Sequence, residues 1–433
     1  MERKIVKQLL KWKNNPQKQP LLLQGARQVG KTYISLSFGK QYYKNVAYFS
    51  MEESEEIPAI FERDLIPERI IKELSAKSMQ SILPEDTLII FDEIQACEKA
   101  LTSLKYFAER APQYHIIAAG SLPGVTMKRE KFSFPVGKVD MLYLYPMDFE
   151  EFLWAVGQEK LCALIHDAYS DFTPMPLHNT AMELYKTYLV AGGMPRIVQE
   201  YAEKRDFDFV TALQKTLNDS YIADMAKYAT PQETNRIMAA WGSVPAQLAK
   251  DNRKFQYKVI KSGARAGEYG AALDWLKAAG MINQCVHVSS GKLPLSVYAE
   301  NDTFKLYMVD TGLLCSKFGI AANIVIHAEH TFDGFKGALS ENYVCQALVT
   351  NGITPYYWTS PGKAEVDFLF QDKRGNIIPL ETKSAENVRS KSLRSYIDLY
   401  KPIYSIRVSG KNFGYENNIK SIPLYAMFCL MNN

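Results

Sequence analysis

A short apolar run that ends in a glycine-containing polar turn constrains the fold of this chain more than any other stretch. Residues 21–24 read Leu-Leu-Leu-Gln, and residues 25–32 read Gly-Ala-Arg-Gln-Val-Gly-Lys-Thr. The apolar run predicts a buried strand, and residues 33–36 predict the start of a helix. Because Gly25 and Gly30 lack a Cβ, backbone N–H groups in the turn can curl around a ligand. The stretch therefore predicts a strand, a tight loop and a helix in direct succession.

The loop has the pattern Gly-x-x-x-x-Gly-Lys-Thr of a phosphate-binding P-loop, and it lies between the expected strand and helix. The N-terminus of the helix adds the positive end of its dipole. Lys31 can reach the β- and γ-phosphates of a nucleoside triphosphate, and the Thr32 hydroxyl can ligate Mg²⁺. We therefore expect ATP and Mg²⁺ as ligands. The expected nucleotide-binding residues are Gly25, Ala26, Arg27, Gln28, Val29, Gly30, Lys31 and Thr32.

A second motif follows about 60 residues later. Residues 87–93 read Thr-Leu-Ile-Ile-Phe-Asp-Glu, an apolar strand that ends in two acids. A buried parallel strand would deliver Asp92 to the carboxyl edge of the sheet, where it can hold the Mg²⁺ shell. Glu93 is placed to orient or deprotonate a water that attacks the γ-phosphate. Two acids at this position favour an enzyme that hydrolyses its nucleotide.

The next expected strand covers residues 115–121 and ends at Ser121. At this position Ser121 either senses the γ-phosphate or simply belongs to a tight turn before Pro123 and Gly124. Residues 139–144 predict a further strand. Alternation of strands and helices indicates a doubly wound parallel sheet over residues 1–147. The expected catalytic residues are Lys31, Asp92, Glu93 and Ser121.

Length and composition limit the remaining possibilities. The 433 residues are too many for one ordinary domain, and a net charge of +4 means that any basic surface must be local. The six cysteines form no C-x-x-C pair and the six histidines no H-x₃₋₅-H pair, which argues against structural zinc and a disulfide framework. We expect reduced core thiols in a cytoplasmic protein. The N-terminus lacks the apolar region of a signal peptide, and no transmembrane helix or membrane partner is expected.

The middle of the chain changes to a helical pattern. Residues 148–229 carry apolar stripes at helical spacing, interrupted at Gly192 and Gly193. Arg196, directly after this break, is either an arginine that approaches the γ-phosphate or a structural salt-bridge partner. The sequence leaves both interpretations open.

Residues 230–310 predict helices followed by a β-ribbon with strands at 282–288 and 295–297. A basic run at 250–265 holds six cationic side chains against one acid, with Phe255 and Tyr257 interleaved. Such a run can follow a phosphate backbone, or it can be a solvated basic face between helices. The candidate DNA contacts are Arg253, Lys254, Lys258 and Lys261.

Residues 311–433 predict a helix over 333–349, three strands at 356–359, 365–370 and 377–383, another helix and a final strand. Alternation along the strands places Glu365 and Asp367 on one side, and Glu381 and Lys383 on one side. With Glu341 on the helix, Asp367 and Glu381 could bind a second divalent metal, Mg²⁺ or Mn²⁺. Lys383 could then activate a water for attack on a phosphodiester. Charged residues that alternate on an exposed strand are the alternative.

The motifs and their order resemble the AAA-like ATPases of bacteria and archaea that carry a C-terminal domain of uncharacterised function. The resemblance implies a P-loop ATPase domain (1–147), a helical lid domain (148–229), a winged-helix-like domain (230–310) and a PD-(D/E)XK nuclease-like domain (311–433). The matching elements are Gly25–Thr32, Leu88–Glu93, Gly120–Ser121, Tyr145–Phe149 and Gly192–Arg196.

Three functions are compatible with this organisation. The first is a Mg²⁺-dependent ATPase whose nucleotide state controls a C-terminal module that binds DNA or a protein partner. The second is an ATP-regulated, metal-dependent DNA nuclease. The third is a slow nucleotide switch that recruits a protein partner. Fold alone does not decide among them, since related folds carry different activities.

Overall fold

The chain folds into two compact units. The computed structural model describes residues 1–121, 135–250, 253–327, 333–362, 364–384 and 391–430. The N-terminal unit comprises Arg3–Tyr145 with Ala278–Gly280. The C-terminal unit comprises Pro146–Lys277 and Met281–Asn433 with Met1–Glu2.

A five-stranded parallel sheet forms the centre of the N-terminal unit. Its strand order is β2-β3-β4-β1-β5, and each neighbouring pair is parallel. The expected parallel sheet is thus confirmed. The strands are β1 (Leu21–Gln24), β2 (Asn45–Ser50), β3 (Thr87–Asp92), β4 (His115–Ala119) and β5 (Asp140–Tyr143).

Helices surround this sheet. Strands β1, β3 and β4 are buried along their whole length, as expected of inner strands covered on both faces. Pro67 begins a separate helix, because proline is favoured in the first helical turn and destabilises a helix interior. The helices are α1 (Ile5–Asn14), α2 (Lys31–Tyr42), α3 (Glu56–Arg63), α4 (Pro67–Ser78) and α5 (Glu98–Arg110).

The C-terminal unit begins with a helical stretch. Asp148 caps its first helix through a capping box, in which Glu151 N donates to Asp148 Oδ1 and Asp148 N donates to Glu151 Oε2. These helices are α6 (Phe149–Ala155), α7 (Glu159–Asp171), α8 (His178–Ala191), α9 (Pro195–Lys204), α10 (Phe207–Tyr228), α11 (Pro231–Leu248), α12 (Tyr257–Ile260) and α13 (Ala266–Ala278).

An eight-stranded mixed sheet fills the rest of the C-terminal unit, in the order β12-β13-β11-β10-β9-β8-β6-β7. The strands are β6 (Ile282–Val288), β7 (Ala299–Met308), β8 (Tyr356–Thr359), β9 (Glu365–Gln371), β10 (Ile377–Thr382), β11 (Ser405–Ser409), β12 (Gly414–Glu416) and β13 (Ile419–Pro423). The accompanying helices are α14 (Thr311–Phe318), α15 (Ala322–His327), α16 (Asp333–Thr350) and α17 (Lys391–Tyr400).

The second strand of the expected ribbon lies elsewhere. Residues 295–297 were expected to be a strand, but Leu295–Tyr298 forms a 3₁₀ turn, and β7 begins at Ala299. The turn is closed by Val297 N, which donates to the Pro294 carbonyl at 3.1 Å. Leu295 is buried while Val297 is 71% exposed, so Leu295 anchors a turn. Expecting a strand at 295–297 was wrong.

The ribbon β6–β7 is continuous with the strands that follow it. Strand β6 pairs in parallel with β8, so one sheet runs across residue 310. Strand β7 is the edge strand next to β6, and two residues from outside the sheet form hydrogen bonds with its backbone. Phe255 N donates to the Phe304 carbonyl at 2.8 Å. The Asn342 side chain accepts from Met308 N (2.7 Å) and donates to Met308 O (3.1 Å).

Gly192 and Gly193 are required by close packing inside this unit. A Cβ on Gly192 would lie 2.3 Å from Asp310 Oδ1, and one on Gly193 would lie 1.9 Å from the Met147 carbonyl oxygen. Asp310 caps α14 by accepting from Leu313 N at 2.9 Å, and it also accepts from Gly193 N at 2.6 Å. The two glycines therefore allow the chain to approach a buried carboxylate.

None of the helices in the described ranges combines the length and the apolar character that crossing a bilayer requires.

Candidate functional site

The sheet of the N-terminal unit places its motifs side by side. Strands β3, β4 and β1 are neighbours and parallel, so their carboxyl ends lie at one edge. The P-loop follows β1 at this edge, and β3 ends in Asp92. Gly120, just after β4, donates its N–H to the Leu23 carbonyl at 3.2 Å. Elements far apart in sequence thus meet at one edge.

The backbone of the P-loop requires glycine at two points. Gly25 has φ +149°, and a Cβ there would lie 2.2 Å from the Leu144 carbonyl oxygen. Gly30 has φ +93° and is the N-cap residue of α2. Because Gly30 has no side chain, it cannot cap the N–H groups of the first turn of α2. These groups and the helix dipole suit an anion.

Other parts of the unit hold the loop. The Arg3 guanidinium donates to the Val29 carbonyl at 3.1 Å and to the Tyr145 carbonyl at 2.7 Å. Ala26 and Val29 are buried. Arg27 is half-buried and Gln28, with φ +61°, is exposed.

The Lys31 side chain turns back onto the loop. It is 7% exposed, and its Nζ donates to the carbonyls of Gly25 (3.0 Å) and Ala26 (2.9 Å). An ammonium so deeply buried needs such acceptors, because burying an uncompensated charge costs several kcal/mol. A phosphate bound in the loop could replace these two carbonyls as the acceptor for Lys31 Nζ.

Thr32 and Asp92 are in direct contact across 60 residues of sequence. Thr32 Oγ1 donates to Asp92 Oδ2 at 2.6 Å, and Tyr48 OH donates to the same oxygen at 3.0 Å. Glu93 N donates to Asp92 Oδ1 at 3.0 Å. Burial raises the pKa of Tyr48, and the Asp92 charge raises it further, so the phenol keeps its proton and donates. The Asp92 carboxylate is held in one orientation beside the threonine hydroxyl.

The Gln95 side chain lies between Glu93 and Gly120, the residue before Ser121. Glu93 has φ +49°, in the left-handed region, and its Oε2 accepts from Gln95 Nε2. A Cβ on Gly120 would lie 2.4 Å from Gln95 Oε1, so glycine there makes room for the amide. Ser121, the next residue, is 7% exposed. Gln95 thus lies between the Glu93 carboxylate and the end of β4.

Three of these contacts were not expected from the sequence. Arg3 gives no local signal, since it precedes the first helix and contacts the chain 142 residues later. Tyr48 could have been noticed as a hydroxyl on β2, which pairs with β3. Gln95 follows the two acids by two residues, and a functional amide at that place has no distinctive pattern.

The C-terminal carboxylates are tied to internal cations. Glu341 is 4% exposed, pairs with the Arg253 guanidinium, and accepts from Tyr307 OH at 3.0 Å. The fully buried Lys305 ammonium lies 3.8 Å from Glu341 Oε2 and 2.6 Å from Glu365 Oε1. A lysine and an arginine therefore neutralise Glu341.

The other expected nuclease residues are close to one another. Lys383 Nζ lies 3.1 Å from Glu381 Oε1, and Asp367 Oδ2 accepts from Thr382 N at 2.8 Å. Glu341, Asp367 and Glu381 do not form a group of three with ligand atoms within 4.8 Å of one another; in the described residues, Glu150, Cys162 and His166 do. A second metal at the three carboxylates stays a prediction.

The basic run has two parts. Phe255 stacks on Phe304 with ring centroids 5.2 Å apart, and Arg253 pairs with Glu341, so both serve internal packing. Lys254 is half-buried, whereas Lys258 and Lys261 are exposed.

Arg196 lies exposed in the first turn of α9. Within the described ranges, its guanidinium makes no ion pair.

Comparison with known proteins finds a match for the N-terminal part of the chain. Residues 17–153 match the model of an AAA domain. This stretch is similar to an AAA domain and contains the P-loop, Asp92 and Glu93. Residues 182–323 match a domain of unknown function (DUF8612), and residues 336–427 match another (DUF4143). No curated protein matches the chain.

Solved structures with partial similarity include a Walker-type ATPase of Pyrococcus abyssi. It is 16% identical with a TM-score of 0.45, over 73% of this chain and 95% of that one. The RuvB Holliday junction branch migration motor of Thermotoga maritima is 15% identical with a TM-score of 0.32, over 65% and 89%. PCH-2 of C. elegans is 10% identical with a TM-score of 0.28, over 47% and 62%. At TM-scores below 0.5, these similarities add nothing to the fold described above.

Proposed function

We propose that the protein binds Mg²⁺·ATP and hydrolyses it. The observation that supports this proposal most directly is the 2.6 Å contact between Thr32 Oγ1 and Asp92 Oδ2, next to the P-loop lysine. A hydroxyl and a carboxylate are hard oxygen donors, which suit Mg²⁺. When bound, Mg²⁺ would neutralise charge that develops on the phosphates.

The roles of the side chains follow from their contacts. Lys31 exchanges its two carbonyl acceptors for phosphate oxygens, while the first turn of α2 donates N–H groups. Glu93 orients the attacking water and accepts its proton. Gln95 fixes the orientation of the Glu93 carboxylate through Oε2. Ser121 lies at the end of β4, where its hydroxyl can report on the γ-phosphate.

Two substitutions test this proposal. Lys31→Ala should abolish binding of a fluorescent ATP analogue, because the loop loses its cation. Glu93→Gln should keep ATP affinity but reduce phosphate release at least about 100-fold, because the general base is lost. Lys40→Ala, at the exposed end of α2, is the matched control. Unchanged affinity in Lys31→Ala, or unchanged turnover in Glu93→Gln, would refute the assignment.

We further propose that the nucleotide state controls a DNA-binding module in the C-terminal unit. Helices α11, α12 and α13 followed by the ribbon β6–β7 have the element order of a winged helix. Lys258 and Lys261 are exposed on this module and can contact phosphates.

Salt dependence tests the DNA proposal. The double variant Lys258→Glu, Lys261→Glu should bind duplex DNA more weakly. The slope of log affinity against log salt concentration should also become less steep, by the amount expected for the loss of about two phosphate contacts. Lys160→Glu with Lys215→Glu makes the same charge change at exposed helix positions elsewhere in the unit. Equal losses in both double variants would mean that only net charge matters. Absence of DNA binding by the wild type would leave a protein partner as the target, as expected of a slow switch.

A DNA nuclease is the second candidate for the C-terminal unit. It is supported by the contacts of Lys383 with Glu381 and of Asp367 with Thr382 N, in a helix–three strands–helix–strand order. A metal at Glu341 would have to displace Arg253 or Lys305. Wild-type protein should then cut supercoiled DNA with Mn²⁺ or Mg²⁺, and Asp367→Ala should not. Intact DNA at all metal and ATP concentrations would refute this activity.

A further inference from the structure

A mixed set of metal-binding side chains lies in the helical part of the C-terminal unit, and none of its members belongs to the sites described above. Cys162 and His166 are four residues apart on α7 and so share one face of the helix. Glu150 lies on the preceding helix, α6. His166 Nε2 is 2.6 Å from Glu150 Oε1, and Cys162 Sγ is 3.6 Å from the same oxygen. The imidazole nitrogen and the thiol sulfur therefore both lie against the same carboxylate oxygen.

The far side of the imidazole is also contacted. His166 Nδ1 lies 3.6 Å from Cys429 Sγ, and the Phe428 ring packs against the imidazole edge-on at 5.2 Å. A proton on Nδ1 would point at this sulfur and leave the lone pair on Nε2 for a metal. Contacts of this kind commonly fix the tautomer of a metal-bound histidine.

The site is enclosed but reachable. The thiol of Cys162 is buried, the Glu150 side chain is 11% exposed, and the His166 side chain is 32% exposed. A small ion can enter past the imidazole, while the thiol is shielded from bulk solvent.

We propose that Glu150, Cys162 and His166 bind one divalent ion of the zinc class. Zn²⁺ accepts thiolate, imidazole and carboxylate together, and three protein ligands leave its fourth position for water. Mg²⁺ and Ca²⁺ prefer oxygen ligands, so a thiol in the set disfavours them. The Cys162 thiol donates to the same carboxylate oxygen that the imidazole contacts, so all three ligand atoms already lie within 4.8 Å of one another.

Binding forms three bonds from the metal, to Sγ, Nε2 and Oε1. The Cys162 thiol loses its proton to solvent, and the imidazole keeps a single proton on Nδ1. With thiolate and carboxylate both negative, the two charges of the ion are balanced. Metal uptake therefore releases at least one proton per ion and weakens as the pH falls.

Cobalt provides a direct test with the full chain. Protein stripped with EDTA and titrated with Co²⁺, without nucleotide, should bind one ion and develop a thiolate-to-cobalt charge-transfer band that Zn²⁺ removes. Mg²⁺ at the P-loop has no thiolate ligand and cannot produce this band. No band in the wild type would overturn the proposal.

Variants identify the ligands. Cys162→Ser should lose the band, whereas Cys97→Ser, a buried thiol in the N-terminal unit, should keep it. Cys429→Ser should keep the band with altered affinity, because this sulfur contacts the imidazole and is not one of the three proposed ligands. A band that persists in Cys162→Ser would refute the assignment. If Cys162→Ser does not fold, His166→Gln decides, with at least about tenfold weaker Co²⁺ binding expected and unchanged affinity refuting the site.

Discussion

The buried carboxylate of Asp310 should make the stability of the C-terminal unit depend on pH in an unusual direction. Asp310 is fully buried and accepts hydrogen bonds from the backbone N–H groups of Gly193, Gly312 and Leu313. Burial raises the pKa of Asp310 to about 6, although these hydrogen bonds lower it. The folded state therefore binds a proton more tightly than the unfolded chain does.

The sign and size of the effect follow from linkage. The reference pKa is 3.8, so the stabilising contribution is present below about pH 4 and is lost as the pH rises through 6. The folded and reference pKa values of Asp310 differ by about two, and each pKa unit corresponds to about 1.36 kcal/mol. The contribution of Asp310 to the free energy of unfolding should therefore fall by about 2 kcal/mol between pH 4 and pH 7.5. Other carboxylates act in the opposite direction, so the effect must be isolated as a difference between variants.

Asp310→Asn isolates it, because asparagine has a similar shape and does not titrate. We expect the free energy of unfolding of the wild type, minus that of Asp310→Asn, to fall by about 2 kcal/mol from pH 4 to pH 7.5. Four of the five tryptophans lie in the C-terminal unit, and Trp12 lies in the N-terminal unit. In a Trp12→Phe background, tryptophan fluorescence during urea unfolding therefore reports on the C-terminal unit alone.

Asp206→Asn provides the matched control. Asp206 caps α10 through the N–H groups of Asp208 and Phe209, but it is exposed. Its substitution removes an exposed carboxylate and a helix cap from the same unit and leaves the buried carboxylate in place. If the curves of the wild type and Asp310→Asn run parallel from pH 4 to pH 7.5, burial of the carboxylate does not control the pH dependence.

Three further substitutions test contacts described above. Lys305→Met should destabilise the C-terminal unit by about 3 to 5 kcal/mol in the same fluorescence assay, because the buried Glu341 carboxylate loses one of its two cations and the half-buried Glu365 loses its ion-pair partner. Gly25→Ala should lower the thermal stability of the N-terminal unit and abolish ATP binding, because its Cβ would approach the Leu144 carbonyl oxygen to 2.2 Å. Tyr48→Phe should raise the Mg²⁺ concentration needed for half-maximal ATPase activity about fivefold, because Asp92 loses a hydrogen bond worth about 1 kcal/mol.

These three substitutions each have a control variant, and their results can contradict the reasoning. Lys160→Met removes an exposed cation from the same unit and should cost little, so equal losses would contradict the importance of burial. Gly242→Ala has open space around it and should be tolerated. Tyr33→Phe, on the exposed face of α2, should leave the Mg²⁺ dependence unchanged. An unaltered Mg²⁺ dependence in Tyr48→Phe would show that Thr32 and the Glu93 N–H suffice to orient the carboxylate.

Local patterns were sufficient for the N-terminal unit. Inner strands of a parallel sheet are buried on both faces, so residues 87–92 stand out as an apolar run, and the acid that ends the run marks the sheet edge. The P-loop is a contiguous motif whose backbone demands appear directly as glycines. The sequence was therefore sufficient to assign Thr32 and Asp92 to the same expected Mg²⁺ site.

The C-terminal unit depends on contacts that no local pattern encodes. Lys305 looks like one more charged residue on a strand, yet it is fully buried because Glu341 and Glu365 reach it from other elements. The sequence did not predict the Glu150–Cys162–His166 group, because the spacing of these residues matches no zinc-binding motif. The start of strand β7 was predicted too early because the short stretch Leu295-Ser296-Val297 fits a turn as well as a strand.

The contacts on the outer side of β7 restrict how another molecule can approach this sheet. Phe255 N and the Asn342 amide already use the backbone groups of Phe304 and Met308, and β12, at the opposite edge, is only three residues long. Unpaired edge strands are the usual templates for strand addition and for aggregation between chains. With both edges blunted in this way, we expect a partner of the C-terminal unit to recognise side chains on helices and loops, and the folded protein to resist edge-to-edge association.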